Sequence, residues 1–384
     1  IPTVGVAAAV IAEDAVSVSG ALPVPTDVDL HDVLTFLPQA GTVGLYGKLT
    51  VDANGNYTYI LNNALPAVQA LGVGEHLTDT FTFTVSDGHG GTVSNTLTLT
   101  IDGTNDIPTV GAAAAVIAED AVSVSGTLPV PVDVDVHDVL TFLPQTDKAG
   151  LYGTLTLDAN GNYTYVLNNA LPAVQGLGVG EKLTDTFSFT VSDGHGGTVS
   201  NTLTLTINGT NDLPSVGAAT TVIAEGTASV SGTLPVPTDV DVHDVLAFLP
   251  QAGTVGLYGT LTVDASGNYT YILNNALPAV QGLGVGESLT DTFTFTASDG
   301  HGGTASSTLT VTINGSNDAP VLAATVVGVD KDTAVTSGAL PMPTDVDVHD
   351  TVSFTPLTNA PGSYGTFSVD ADGNYTYVLD TSLP

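Results

Sequence analysis

Tyr57 recurs as Tyr163, Tyr269 and Tyr375, and His31 recurs as His137, His243 and His349, at a constant step of 106 residues without insertion or deletion. A chain of 384 residues that returns to itself this regularly is an array of one structural unit. Each copy must bury its own apolar face and touches only its neighbours in the array. Natural boundaries follow Asp106, Asp212 and Asp318, each trailed within two residues by a proline (Pro108, Pro214, Pro320). The chain therefore divides into repeat 1 (1–106), repeat 2 (107–212), repeat 3 (213–318) and an incomplete repeat 4 (319–384).

Within a unit the apolar pattern has the period of strands. Thr80-Phe81-Thr82-Phe83-Thr84-Val85 and Thr96-Leu97-Thr98-Leu99-Thr100-Ile101 alternate strictly, which buries one face and wets the other. Leu49-Thr50-Val51, the turn Asp52-Ala53-Asn54-Gly55 and Tyr57-Thr58-Tyr59-Ile60 predict a hairpin whose glycine supplies the positive φ of the bend. Asp52, Asp158, Asp264 and Asp370 then need no role beyond the turn. Only Ala64–Leu71 suggests a short helix. A unit of about a hundred residues with about seven short strands has the size of an immunoglobulin-like β-sandwich. The expected fold class is all-β, with tandem Ig-like Greek-key β-sandwich repeats joined end to end as an elongated rod.

Charge narrows the partners. Thirty-nine acidic residues face four lysines (Lys48, Lys148, Lys182, Lys331), giving a net charge of −35. Such a chain lacks the basic footprint of nucleic-acid binding and is repelled by anionic membrane surfaces. It attracts cations, and without them self-repulsion weakens the compact state. Disorder is not the expectation, because 42% of the residues are apolar and alternate in strand register. There is no cysteine, so a cross-link other than a disulfide is expected in a secreted chain. Ile1-Pro2-Thr3-Val4 has no basic n-region of a signal peptide. The apolar run Val4–Ala12 is too short to span a bilayer, and both ends are expected to continue into a longer protein.

The carboxylates recur at strand ends and unit boundaries. The first boundary carries Asp102-Gly103-Thr104-Asn105-Asp106, followed by Asp133-Val134-Asp135-Val136-His137-Asp138; Glu13-Asp14 lies upstream and Ser192-Asp193-Gly194 downstream. Hard oxygen ligands drawn from separate loops suit calcium, whose shell takes six to eight oxygens in flexible geometry. An Asp-x-Asp pair at a strand end would set both carboxylates on one side of the pleat. Magnesium's strict octahedron and zinc's preference for nitrogen and sulfur fit less well.

Asn105-Asp106-Ile107-Pro108, the upstream glutamate, the Asp-x-Asp pair and the Val-Ser-Asp-Gly strand end resemble the ligand set of cadherin repeats. Gly55-Asn56-Tyr57-Thr58-Tyr59, Leu77-Thr78-Asp79-Thr80-Phe81 and Val85-Ser86-Asp87-Gly88-His89-Gly90-Gly91 resemble the VCBS repeat of large RTX-type bacterial adhesins. The resemblance covers essentially the whole chain. It implies Ca2+ at each junction between neighbouring repeats. The first junction would use Glu13, Glu75, Asp102, Asn105, Asp106, Asp133, Asp135 and Asp193. The second would use Glu119, Glu181, Asn208, Asn211, Asp212, Asp239, Asp241 and Asp299. The third would use Glu225, Glu287, Asn314, Asn317, Asp318, Asp345 and Asp347, its last ligand falling beyond the final residue. Asn208 and Asn314 replace Asp102 with an uncharged oxygen, and Lys331 stands where the other repeats carry Glu13, Glu119 and Glu225.

The resemblance further implies a calcium-rigidified extender of a secreted bacterial cell-surface adhesin, acting in attachment and biofilm, with no membrane insertion in this segment. Two alternatives belong to other classes: self-association of the units into an extracellular filament, and a carbohydrate-binding module. Against the last, the twelve tyrosines and eleven phenylalanines mostly hold alternating strand positions and read as core. An enzymatic reading of Ser86, Asp87 and His89, or of His31 with Asp32, is disfavoured. A catalytic triad is assembled in space rather than along one strand end, and these groups recur with the repeat.

Overall fold

The computed structural model describes residues 1–383. The chain divides into two compact units, Ile1–Thr210 and Asn211 onward. Repeat 1 is built from β1 (Ala7–Ala12), β2 (Ser17–Ala21), β3 (Thr35–Phe36), β4 (Gln39–Val43), β5 (Gly47–Val51), β6 (Asn56–Leu61), the helical turn α1 (Pro66–Gln69), β7 (His76–Ser86) and β8 (Thr92–Asp102). These form two four-stranded sheets, β1-β8-β7-β3 and β2-β6-β5-β4. β1 runs parallel to β8, whereas the other pairs are antiparallel. Repeats 2 and 3 have the same two sheets. Up to residue 383, repeat 4 has one sheet, made of Val335–Ala339, Leu357–Pro361, Gly365–Val369 and Asn374–Leu379.

The alternation read from the sequence becomes the two faces of the sandwich. Phe81, Phe83, Val85, Leu97, Leu99 and Ile101 point inward from β7 and β8 and meet Leu49 and Tyr59 from the facing sheet. The intervening threonines pair across the outer face, Thr80 opposite Thr98 and Thr82 opposite Thr96. Tyr59 lies edge-on to Phe81 across the two sheets at 5.8 Å, and within one sheet Phe36 is tilted on Phe83 at 6.0 Å. Gly55 takes φ 82° at the β5–β6 bend, where a Cβ would strike the Phe36 ring. Asp52 accepts the N–H groups of Asn54 and Asn56 at 2.9 and 2.8 Å, which is the turn role expected of it.

Away from the tips, each complete repeat buries one carboxylate against a core tyrosine. Asp185, 2% exposed, accepts the N–H groups of Leu151 and Tyr152 at 3.0 Å and the hydroxyl of Tyr165 at 3.1 Å. Asp79 and Asp291 make the same three bonds. A buried carboxylate is tolerated when its oxygens are occupied by donors, and here it pins the turn entering the Gly153–Leu157 strand.

Tyr165→Phe would leave Asp185 one donor short inside the core. The expected loss is about 1–3 kcal/mol of repeat stability, measured as a lower denaturant midpoint at unchanged slope. An unmoved midpoint would show that the bond does not hold the turn.

Candidate metal centre

The pairing of β1 with β8 decides where the first glutamate goes. Ala12 lies opposite Asp102, and the next N–H, from Glu13, is donated to the Asp102 carbonyl at 2.9 Å. Glu13 is thereby held at the trailing end of the sheet, 0% exposed, with its Oε2 accepting the Thr104 N–H at 3.3 Å. The hairpin turn between β7 and β8 lies at the opposite end of the same strands and carries Asp87. Each complete repeat thus has carboxylates at both tips.

At the first junction the linker clasps the leading tip of repeat 2. Asp106 donates its N–H to Asp135 Oδ2 at 2.8 Å, and the Asn105 side-chain amide donates to Asp193 Oδ2 at 3.0 Å. Asp193 Oδ1 also accepts the N–H groups of His195 and Gly197 at 2.7 and 3.0 Å. A Cβ at Gly197 would run into the Asp193 carboxylate, so only glycine lets the loop close on it. One ligand-capable oxygen from each of Glu13, Asp106 and Asp135 lies within 4.8 Å of the others, and the same holds for Asp133, Asp138 and Asp193.

Electrostatics makes this arrangement costly without a counter-charge. Burial, reinforced by the charges of Asp106, Asp135 and Asp14, pushes the Glu13 carboxyl up to about 7 despite the Thr104 hydrogen bond. Burial also raises Asp106, with help from Asp14 and Asp133, and raises Asp135. Asp193 is the contrast: burial opposes its ionisation, yet the Asn105 amide and the His195 and Gly197 N–H groups hold it below the usual carboxylate range. Buried oxygens still lack donors, namely Glu13 Oε1, Asn105 Oδ1, Asp133 Oδ2, Asp135 Oδ1 and Asp138 Oδ2. Buried polar atoms are ordinarily partnered. Five unpartnered oxygens converging from three segments fit a hard, oxygen-seeking cation.

The structure places the remaining predicted residues as follows. Glu75 accepts the Gly72 N–H at 3.1 Å and faces His137 Nδ1 at 2.9 Å across the first junction. Glu287 does the same with Gly284 at 3.0 Å and His349 at 2.7 Å, and Glu181 accepts the Gly178 N–H at 3.1 Å. Asp102 and Asn314 have exposed side chains and Asn208 a half-buried one; all three offer their backbone carbonyls to Glu13, Glu225 and Glu119. In the first unit, Glu119 Oε2 accepts the Thr210 N–H at 3.4 Å. In the second unit, Asp212 donates to Asp241 Oδ2 at 2.8 Å and Asn211 to Asp299 Oδ2 at 2.9 Å. Asp239, Asp244 and Asp299 gather within 4.8 Å there. At the third junction Glu225 accepts the Ser316 N–H at 3.3 Å, Asp318 donates to Asp347 Oδ2 at 2.9 Å, and Asn317 bonds the Asp318 carbonyl at 2.6 Å. Asp345 Oδ1 accepts the Asp347 N–H at 3.1 Å. Among the described residues, Glu225, Asp318 and Asp347 do not close into a trio within 4.8 Å.

Two features differ from the sequence reading. Asp133-Val134-Asp135 is a turn rather than a strand end, because Asp133 Oδ1 bonds the Asp135 N–H at 3.3 Å and the Asp138 N–H reaches the Asp135 carbonyl at 3.1 Å. Short acidic side chains compete in this way with the strand ladder. That turn delivers Asp138, and in the other repeats Asp32 and Asp244, into the carboxylate groups. The ligand set carried over from cadherin repeats omits these aspartates; their recurrence beside His31, His137 and His243 was the available signal. Ser86, weighed as a nucleophile, accepts the Gly88 N–H at 3.2 Å, while the His89 ring faces Asp32 at 3.2 Å.

A family model for the bacterial cadherin-like domain matches residues 1–103, 105–209 and 211–315, and one for the bacterial Ig domain matches residues 317–383. The calcium-binding lectin RapA2 of Rhizobium johnstonii is 29% identical over 186 residues, covering 44% of this chain and 75% of the lectin. Among solved structures, the extracellular cadherin domains 1–5 of protocadherin gamma B2 align with a TM-score of 0.54 at 15% identity, covering 97% of this chain and 72% of that one. Mouse cadherin-23 EC22-24 aligns with a TM-score of 0.49 at 16% identity, covering 81% and 95%. The family match and the protocadherin likeness show a tandem cadherin-like β-sandwich fold. No helix among the described residues is long and apolar enough to cross a membrane.

The raised Glu13 carboxyl fixes the sign of a pH effect in the ion-free chain. The folded state keeps this proton up to about pH 7, whereas an unfolded glutamate releases it near 4.5. Its stabilising contribution is therefore complete below 4.5 and is lost as pH rises through 7. In excess chelator the melting temperature is expected to fall between about pH 5 and pH 8, and Glu13→Gln should flatten that slope. A profile that rises over this range, or one that Glu13→Gln leaves unchanged, would contradict the assignment.

Proposed function

The chain belongs to the bacterial cadherin-like domain family, and from that premise we propose that it is a calcium-stiffened extender of a secreted bacterial surface adhesin. The observation that carries this reading is the first junction: Glu13 from repeat 1, Asp106 from the linker and Asp135 from repeat 2 meet in one buried group with unpartnered oxygens. Glu13, Asn105, Asp106, Asp133, Asp135 and Asp193 would hold calcium there. The ion would supply positive charge that offsets carboxylate repulsion and links two modules in a defined geometry. Extracellular calcium modules work at about 10⁻⁴–10⁻³ M, so the joint would be loose before export and filled outside the cell. The proposed module boundaries follow Asp106, Asp212 and Asp318. The role is mechanical and non-enzymatic, projecting a binding region of the larger protein away from the surface for attachment or biofilm. Lateral self-association would be a secondary property of such rods.

The relation to a calcium-binding lectin favours a second reading, in which the repeats themselves bind carbohydrate in the presence of calcium. Glycan-array binding by the intact chain that disappears on chelation would establish it, and absence of binding at millimolar calcium would leave the extender reading alone.

Removing calcium from the full chain is expected to lower the melting temperature and shorten the maximum dimension in solution scattering, as joints loosen and the chain samples bent forms. An unchanged melting curve and scattering profile after complete chelation would overturn the proposal. Asp133→Asn combined with Asp135→Asn should loosen the first junction alone, read as a partial shortening; equal loss at every junction would show the ligand assignment wrong.

A further inference from the structure

Neighbouring repeats touch directly as well as through the carboxylate groups. The loop that follows the helical turn of one repeat faces the Asp-x-Asp turn of the next, residues 71–75 at the first junction and 283–287 at the third. We propose that this loop is a docking surface for the following repeat, made by protein atoms alone. The residue at its start, Ala70 or Gly282, sets the tilt at which that repeat seats. The inference does not depend on the calcium reading.

At the third junction Gly282 is buried, and a Cβ there would stand 3.0 Å from Val348 Cγ1 and 3.4 Å from the Val346 carbonyl oxygen. Carbon atoms pack best at about 3.5–4.0 Å, so a methyl group would push the next repeat away. Val348 also donates its N–H to the Gly282 carbonyl at 3.3 Å. At the first junction Ala70 holds the same place, and among the described residues its counterpart Val136 makes no such bond to it. The backbone does not require the glycine. Ala70 and Gly282 end their helical turns at the same φ of −91°, which alanine adopts without strain. A glycine at such a position only adds freedom to the unfolded chain. What it gives the folded chain is room.

Further along, the two loops approach their partners alike. A Cβ at Gly72 would lie 3.3 Å from Asp138 Oδ1 and 3.6 Å from Asp135 Cβ. At Gly284 the matching distances are 3.6 Å to Asp350 Oδ1 and 3.9 Å to Asp347 Cβ. His137 and His349 reach Glu75 and Glu287 at both junctions, at 2.9 and 2.7 Å. With these points shared and the contact at 70 or 282 different, the junctions differ by a tilt about the common contact. Val73 and Val285 answer in the opposite sense, at 51% and 77% exposed, so closing on Gly282 uncovers the far side of the loop. The face that docks is apolar. Val28, with no described repeat ahead of it, is 91% exposed, whereas its counterparts Val134 and Val346 are 48% and 45% exposed. Apolar surface leaves water at both junctions, which favours docking without an ion.

The test measures this tilt in the full chain. The protein has no cysteine, so spin labels can be carried by Ser19→Cys with Ser125→Cys across the first junction, and by Ser231→Cys with Ser337→Cys across the third. These four serines are exposed and hold equivalent strand positions. Pulsed electron spin resonance then gives the distance across each junction, in millimolar calcium and in excess chelator. Gly282→Ala is expected to shift the mean distance at the third junction toward that of the first. Ala70→Gly should shift the first toward the third; it removes only a methyl group, which keeps the test alive if Gly282→Ala disturbs folding. Both shifts are expected with and without calcium. Unmoved mean distances in both variants, or shifts seen only with calcium bound, would overturn the docking surface while leaving junction calcium standing. A parent chain that binds no calcium would overturn the calcium reading and leave these shifts in place.

Discussion

Carboxylates packed against one another out of water govern everything else in this protein. A sandwich of apolar and threonine-bearing strands would be stable with polar, uncharged tips. Instead Glu13, Asp106 and Asp135 are drawn together beneath the linker, and the backbone supplies too few N–H groups to occupy their oxygens. Each such group costs free energy in proportion to its burial and its like-charged neighbours. The Glu13 carboxyl responds by holding its proton to about pH 7. With 39 acidic residues against four lysines, the chain cannot supply enough counter-charge itself. On the proposed reading that deficit is the mechanism, since whatever supplies the missing charge also joins the modules.

The fold makes the deficit reproducible. β7 and β8 are 11-residue strands that run the length of the sandwich, so a residue at either end is carried by the most extensively paired element of the repeat. The parallel strand β1 fixes Glu13 at one end, and the glycine loop holds Asp87 or Asp193 at the other. The internal Asp–Tyr bonds secure the turn between β4 and β5 and its counterparts. Rigidity of the scaffold is what keeps the acids from spreading into solvent.

Much of this was legible in the sequence, for a physical reason. A period of two in Thr80–Val85 and Thr96–Ile101 has only one pleated solution, and the 106-residue step announces the modules directly. Glu13, Asn105, Asp106, Asp133, Asp135 and Asp193 could be nominated because they match the ligand positions of cadherin repeats. What could not be read was which of them share an oxygen cage. Asp102 lies beside Glu13 in the ladder, yet its side chain faces solvent and only its carbonyl is used. Asp138 sits next to a histidine, and an Asx-type turn brings it onto Asp133 and Asp193. Backbone direction at a turn depends on one or two side-chain hydrogen bonds, a local choice that no hydrophobic period reports.

The central claim is that divalent cations, rather than protons or solvent, occupy the space between these carboxylates. Anomalous diffraction from crystals grown in calcium tests it without relying on stability. The account predicts peaks within about 2.3–2.6 Å of oxygens from Glu13, Asp106 and Asp135, and from Asp133 and Asp193. A map without peaks there, with the same side chains turned outward to water, would contradict it.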